Sequence, residues 1–347
     1  MSAYRTTARR RGARVARRLL AGLAAATAVV AGLAASPAVA AEPARGRCDP
    51  LIAYREGFPI GRDSKVMGVP GSGGEPHALY DGPLSELDPD WSPDGRLLVF
   101  ATRLNLDGVV SERGLDVVDV TTGEVRTVLR QESFTRFPEW SPRGREIAYV
   151  SAEGGRGPLT AVRVVRSDGT RDRLVVAVPE GEVVQDLAWE PHGRTLWITS
   201  RVGETQWRLR SVDLRTGELQ PLDSTRGLGY PRFAHGRRLV VEADEVGPDG
   251  RSHASLYVTD RRTLQPLVRL FGVADDQWSP ALAPDGDEVA YLRAFGHPTA
   301  PHALEVLSLR DATVRPLVGP ILGDTQPMER EGLSWQPKGR CVAGFPY

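Results

Sequence analysis

One short phrase recurs six times along this chain of 347 residues. It reads Trp91-Ser-Pro-Asp-Gly-Arg96, Trp140-Ser-Pro-Arg-Gly-Arg145, Trp189-Glu-Pro-His-Gly-Arg194, Phe233-Ala-His-Gly-Arg237, Leu282-Ala-Pro-Asp-Gly-Asp287 and Trp335-Gln-Pro-Lys-Gly-Arg340. The leading residues are 49, 49, 44, 49 and 53 positions apart. A period of that length marks a repeat architecture in which each unit is one supersecondary element.

The first unit shows what the element is. Ser-Pro-Asp-Gly is a polar turn between two apolar runs. Leu97–Thr102 and Leu115–Val120 are β-branched and apolar and read as strands, and Val125–Leu129 alternates as an outer strand. With the strand that leads into Trp91, this gives four antiparallel strands per period, one propeller blade. Four further units follow the same plan. Leu51–Tyr54, Lys65–Val69 and His77–Tyr80 supply the later strands of a unit that lacks its first, and Leu333–Trp335 is a first strand with little after it. The expected fold is all-β: a six-bladed β-propeller of four-stranded antiparallel blades over residues 49–347, its ring closed by both termini. The motif tryptophans are expected to pack between sheets, because they offer the largest apolar area.

The start of the chain has a separate purpose. Residues 1–18 hold seven arginines and no acid, Leu19–Ala35 is uncharged, and Ala38-Val39-Ala40 follows Pro37. This is the pattern of a secretory signal peptide over residues 1–40, with 41–48 as a short linker and no membrane span after processing. Arg17-Arg18-Leu19-Leu20 suits the twin-arginine route and the general secretory route alike. The full chain has 44 basic and 44 acidic residues, so loss of the leader leaves a formal charge of −7. That opposes a nucleic-acid partner. Cys48 and Cys341 are the two cysteines. Export into an oxidising compartment makes a structural disulfide between them the expected state.

Pro89-Asp-Trp-Ser-Pro-Asp-Gly-Arg-Leu-Leu-Val-Phe-Ala-Thr102 and Phe137-Pro-Glu-Trp-Ser-Pro-Arg-Gly-Arg-Glu-Ile-Ala-Tyr-Val-Ser151 resemble the repeat of the TolB-type, WD40-like β-propellers. The resemblance covers about residues 49–347 and implies the fold more firmly than any function. In TolB itself an α/β domain precedes the propeller and the partner is a lipoprotein. The chain is similar to the propeller part alone, so that partner does not carry over. Related propellers also precede the hydrolase domain of prolyl oligopeptidase-like enzymes, and no such domain follows here.

Motifs of chemistry are missing from the sequence. There is no Gly-x-Ser-x-Gly elbow and no phosphate-binding loop in a strand–helix context. His297 and His302 flank a long insertion and give no informative metal spacing. Six-bladed lactonases hold calcium at the channel mouth with Asp, Glu and Asn; here Asn105 is the one asparagine and that pattern is not visible, so no cofactor is expected, with calcium on acids alone as the alternative. Residues before each first strand are expected to rim the channel: Glu86, Asp88, Arg136, Phe137, Gln185, Asp186, Tyr230, Arg232, Asp275, Asp276, Trp278, Arg330 and Glu331. Tyr, Trp and Arg among them suit recognition. The expectation is a monomeric, secreted or envelope-associated, non-catalytic propeller that binds a protein, peptide or glycan at one face. The alternative is a small hydrolase or lyase, lactonase-like, that uses acids at the channel mouth.

Overall fold

The computed structural model describes residues 48–342 and Phe345, apart from 58–63, 107–108, 153–154, 156, 204–205, 224–226, 234–237, 247–249, 251, 266–267, 272–275, 295–301, 322–331 and 338. The leader expected over residues 1–40 lies outside them.

The described residues form 24 strands in six four-stranded sheets, paired antiparallel. β1 (Leu51–Glu56), β2 (Lys65–Pro70) and β3 (His77–Tyr80) belong to one sheet. The first complete blade is β4 (Ser85–Trp91), β5 (Leu97–Leu106), β6 (Val109–Asp119) and β7 (Val125–Arg130). The second is β8 (Thr135–Trp140), β9 (Glu146–Ala152), β10 (Leu159–Arg166) and β11 (Arg173–Ala177). The third is β12 (Glu182–Trp189), β13 (Thr195–Val202), β14 (Gln206–Asp213) and β15 (Leu219–Asp223). β16 (Leu228–Phe233), β17 (Arg238–Val246), β18 (Ser252–Asp260) and β19 (Val268–Arg269) make the fourth. β20 (Asp276–Leu282), β21 (Glu288–Ala294), β22 (His302–Ser308) and β23 (Val314–Ile321) make the fifth. β24 (Ser334–Trp335) pairs with β1, Ile52 opposite Trp335, and so joins the sheet of β1–β3. The fold is a six-bladed β-propeller.

The leading residue of the motif ends each innermost strand, an aromatic in five blades and Leu282 in the other. Trp91, Trp140, Trp189 and Trp335 are buried in clusters that span adjacent sheets. Trp91, for example, lies with Leu51, Ala53 and Val66 of the neighbouring sheet. Apolar burial at about 25 cal/mol per Å² is therefore concentrated between blades. A disulfide joins Cys48 to Cys341 across 293 residues of sequence, with Cα atoms 5.1 Å apart.

The innermost strands share a kink. Their register with the second strand slips between Leu87 and Asp90, Arg136 and Glu139, Val184 and Asp186, Gly229 and Arg232, and Trp278 and Ala281. Asp88, Phe137, Tyr230 and Ser279 adopt φ between 48° and 52°, and proline follows each. A positive φ costs a non-glycine residue roughly 1–2 kcal/mol, and bulges re-aim side chains. The same device in four blades marks it as architecture rather than strain local to one reacting group.

One buried acid on this frame makes stability depend on pH. Glu86 of β4 is fully buried. Burial above all, with the charges of Asp81 and Asp116, pushes its carboxyl up to about 8, against the pull of the Glu86 and Gly82 backbone groups. The folded chain thus keeps a proton that the unfolded chain releases near 4.5. The stabilisation is complete below about 4.5 and declines as pH rises toward 8. Glu86→Gln is expected to raise unfolding free energy at pH 8 by on the order of 2 kcal/mol and to change it little at pH 4.5. Urea unfolding at both pH values checks this, and equal gains at both would contradict it.

Candidate functional site

The bulge decides what faces the axis. The residue just before the leading residue of each motif copy (Asp90, Glu139, Ala188, Arg232, Ala281 and Ser334) lines a cavity of about 200 Å³. Asp88, Phe137, Asp186, Phe233 and the prolines Pro89, Pro138 and Pro231 complete much of its wall. The cavity falls below the ~300–1,000 Å³ usual for a drug-sized ligand. It matches a single protruding side chain or sugar ring.

Its charged groups are held by the neighbouring blade. Arg136 donates to Asp88 from Nε at 2.6 Å and from Nη2 at 3.2 Å. The Phe137 backbone N–H donates to the same carboxylate at 3.1 Å. Arg232 grips Asp186 in the same two-pronged way, at 2.6 and 3.2 Å. Such forked, charge-assisted pairs are the stronger kind of hydrogen bond.

Asp90 accepts the Trp140 backbone N–H at 2.7 Å and the Ser334 hydroxyl at 2.7 Å. Ser334 in turn accepts the Trp91 N–H at 3.1 Å, and Glu139 accepts the Trp189 N–H at 3.1 Å. The position before the aromatic therefore does one job in three blades: it caps the backbone N–H of the motif tryptophan in the next blade. These bonds satisfy donors on the open edge of each innermost strand, the side away from its ladder with the second strand.

Four carboxyls (Asp88, Asp90, Glu139 and Asp186) share this space with two guanidiniums, so full ionisation is unfavourable. Burial pushes Asp90 up to about 6, opposed by the Trp140 N–H, Ser334 and Arg232. Burial and then the charge of Asp90 hold Glu139 well above the usual carboxylate range. Burial also raises Asp186 despite Arg232. Burial works against the charge on Arg232, but Asp186, Glu139 and Asp90 outweigh it and keep the guanidinium protonated.

The structure sorts the residues expected at the rim. Asp88, Phe137, Asp186 and Arg232 line the cavity. Arg136 stands behind Asp88, buried, with its guanidinium carbon 4.9 Å from the Phe137 ring centroid. Gln185 is half-buried and does not line it. Tyr230 is buried against Trp207, with ring centroids 5.7 Å apart. Trp278 is buried edge-on to His302 at 4.9 Å, and Asp276 accepts the Ala254 N–H at 2.8 Å. Both face the seam between the fourth and fifth blades, because the bulge after Trp278 turns Ala281 to the axis. Glu86 is wholly buried. Asp275, Arg330, Glu331 and His297 lie outside the described residues. Asp90, Glu139, Phe233 and Ser334 were not expected at the axis. Their signal was the position next to the motif aromatic. Among the described residues no group of three or more His, Cys, Asp or Glu is placed to hold a metal ion.

No family model matches the sequence. Among the curated proteins similar to it, two illustrate the range. The chain is 24% identical over 208 residues to the uncharacterized peptidase YuxL of Bacillus subtilis, covering 58% of this chain and 28% of that protein. It is 27% identical over 254 residues to the uncharacterized protein Atu1656 of Agrobacterium fabrum, covering 60% of this chain and 84% of that protein. The chain thus spans little more than a quarter of the peptidase. TolB from Acinetobacter baumannii superposes with a TM-score of 0.61 at 16% identity, over 83% of this chain and 67% of that one. A TolB from Agrobacterium tumefaciens gives 0.56 at 16%, over 84% and 99%. An oligogalacturonate lyase in complex with manganese gives 0.51 at 20%, over 74% and 72%. A shared fold serves many chemistries, so these likenesses bear on architecture. Six bladed sheets, the axial cavity and these superpositions agree: this chain has the fold of the TolB-type β-propellers.

Proposed function

We propose that this protein is an exported, non-catalytic propeller that binds a protein, peptide or glycan at the mouth of its axial cavity. The observation that carries this reading is the commitment of the mouth's charged groups. Asp88 and Asp186 are locked by Arg136 and Arg232, and Asp90 and Glu139 cap backbone N–H groups. None is presented to a reacting atom by a dedicated orienting partner, as a catalytic acid or nucleophile requires. What remains for a guest is a collar of Phe137, Phe233 and three prolines around polar groups. Rigid apolar walls with a few fixed polar groups suit recognition of one inserted residue. The disulfide favours a compartment outside the cytoplasm, in keeping with the basic leader.

A second reading has its own support. Burial holds Glu139 well above the usual carboxylate range beside charged Arg232 in the same cavity, the direction of shift that a general acid needs. A lyase and a peptidase stand among the similar proteins.

Peptide and glycan arrays probed with the mature protein test the first reading. Saturable binding to a defined set is expected, with at least a tenfold loss in Phe137→Ala/Phe233→Ala. Binding that ignores these substitutions would remove the mouth as the site.

A further inference from the structure

The six copies of the repeat provide an internal comparison of the turns that follow the motif aromatic. In four blades the same backbone bond ties this turn to the turn between the third and fourth strands. Val120 N–H donates to the Arg96 carbonyl, Ser167 to Arg145, Leu214 to Arg194 and Leu309 to Asp287, at 3.1, 3.0, 3.0 and 2.8 Å. Arg96, Arg145, Arg194 and Asp287 are therefore equivalent. So are the residues opposite the start of the second strand: Asp119, Arg166, Asp213 and Ser308.

Charge is matched at these turns in the first and fifth blades. Arg96 donates from Nε to Asp119 at 2.7 Å. Asp287 is paired with Arg310. Asp94 of the first turn accepts the Arg96 backbone N–H at 3.1 Å. The second blade breaks this rule twice. Arg143 stands where the first blade has Asp94 and the fifth has Asp285, and Arg166 stands where the first and third have Asp119 and Asp213. Arg145 keeps its place between them.

These three exposed arginines line one groove of about 590 Å³ with Ser141, Gly144, Glu146, Ser167, Asp168 and Gly193. Its two acids offset only part of that charge. Glu146 faces Arg173 at 3.8 Å, and Asp168 accepts the Thr170 N–H at 2.9 Å and its hydroxyl at 2.6 Å and also feels the charge of Arg166. Arg143 and Arg145 have no side-chain hydrogen bond or ion pair among the described residues. Clustered like charges are unfavourable without a counter-charge. An unshared guanidinium offers a fork of donors that fits oxyanions.

We infer that this groove binds a phosphate-bearing ligand. Three guanidiniums around one groove match a group with three oxygens and close to two negative charges, as a phosphate monoester has. A single carboxylate would occupy one fork and leave two charges unmatched. The groove begins where β8 ends, after Trp140, whereas the axial mouth is lined from Phe137 to Glu139. The site thus stands apart from the mouth and from the reading given for it.

Calorimetric titration of the mature protein with inorganic pyrophosphate tests the inference. Saturable one-to-one binding is expected. Arg143→Asp/Arg166→Asp restores the acids of the sibling blades and should weaken it at least tenfold, with no fall in thermal midpoint. Phe137→Ala at the mouth and Arg126→Ala on β7 should leave it unchanged. No saturable binding to the native protein would overturn the site, as would equal binding by the double variant. Citrate binding as tightly as pyrophosphate at the same ionic strength would overturn the ligand class.

Discussion

Replacing Cys48 and Cys341 together by serine is expected to lower the unfolding free energy by up to about 5–6 kcal/mol. The two residues lie 293 apart in sequence and 5.1 Å apart at Cα. The bridge ties the segment before β1 to the segment after β24. A cross-link over so long a loop removes more chain entropy from the unfolded state than a short one, and that sets the ceiling. Residual unfolded-state structure brings the measured value below it. The folded state should change little, because the β1–β24 pairing and the cluster of Leu51, Trp91 and Val342 do not depend on the sulfur atoms. Urea unfolding of oxidised wild type against Cys48→Ser/Cys341→Ser measures the effect. Coincident curves would show that the bridge constrains nothing.

The second large effect concerns the channel ion pair. Arg136→Ala is expected to cost about 3–5 kcal/mol, because it leaves Asp88 charged and buried without its partner. The side chains of Arg136 and Asp88 are only 6% and 5% exposed, so solvent screens the pair little. The change also withdraws the cation from the face of Phe137. Removing both charges should be much milder. In Asp88→Asn/Arg136→Met the amide oxygen still accepts the Phe137 N–H, and most of the loss should be recovered. Chemical denaturation of the single and double variants decides it. A loss below about 1 kcal/mol in Arg136→Ala is the value for an exposed pair and would contradict the burial argument.

The blades were legible because two periods coincide in this sequence. Alternation within Leu97–Thr102 or Val125–Leu129 marks a strand, and the Trp–Pro–Gly phrase marks the turn after the innermost one. The cavity was less legible, because the innermost strands begin well before the aromatic. β4 runs from Ser85 to Trp91 and β12 from Glu182 to Trp189. Residues taken as a loop rim therefore sit within a sheet, where alternate side chains face neighbouring blades. Tyr230 and Trp278 went to those seams for this reason. Simple alternation would not place Asp90 and Glu139 correctly either, since the positive-φ bulge before them shifts the phase. The repeated X-Pro dipeptide two residues before the aromatic was the visible trace: Asp88-Pro89, Phe137-Pro138, Tyr230-Pro231 and Ser279-Pro280. The pairing of Arg232 with Asp186 and of Arg136 with Asp88 joins residues of adjacent blades. Such pairs follow from register across the axis and cannot be read within one repeat.

On the proposed function, the axial mouth holds a guest without changing it. The most direct measurement is to recover the array-identified ligand after prolonged incubation with an equimolar amount of mature protein and determine its mass. An intact ligand is expected, retained by wild type and lost from Phe137→Ala/Phe233→Ala. A cleaved or eliminated product that forms with wild type and disappears with Glu139→Gln would contradict it and make Glu139 the acid of an enzyme.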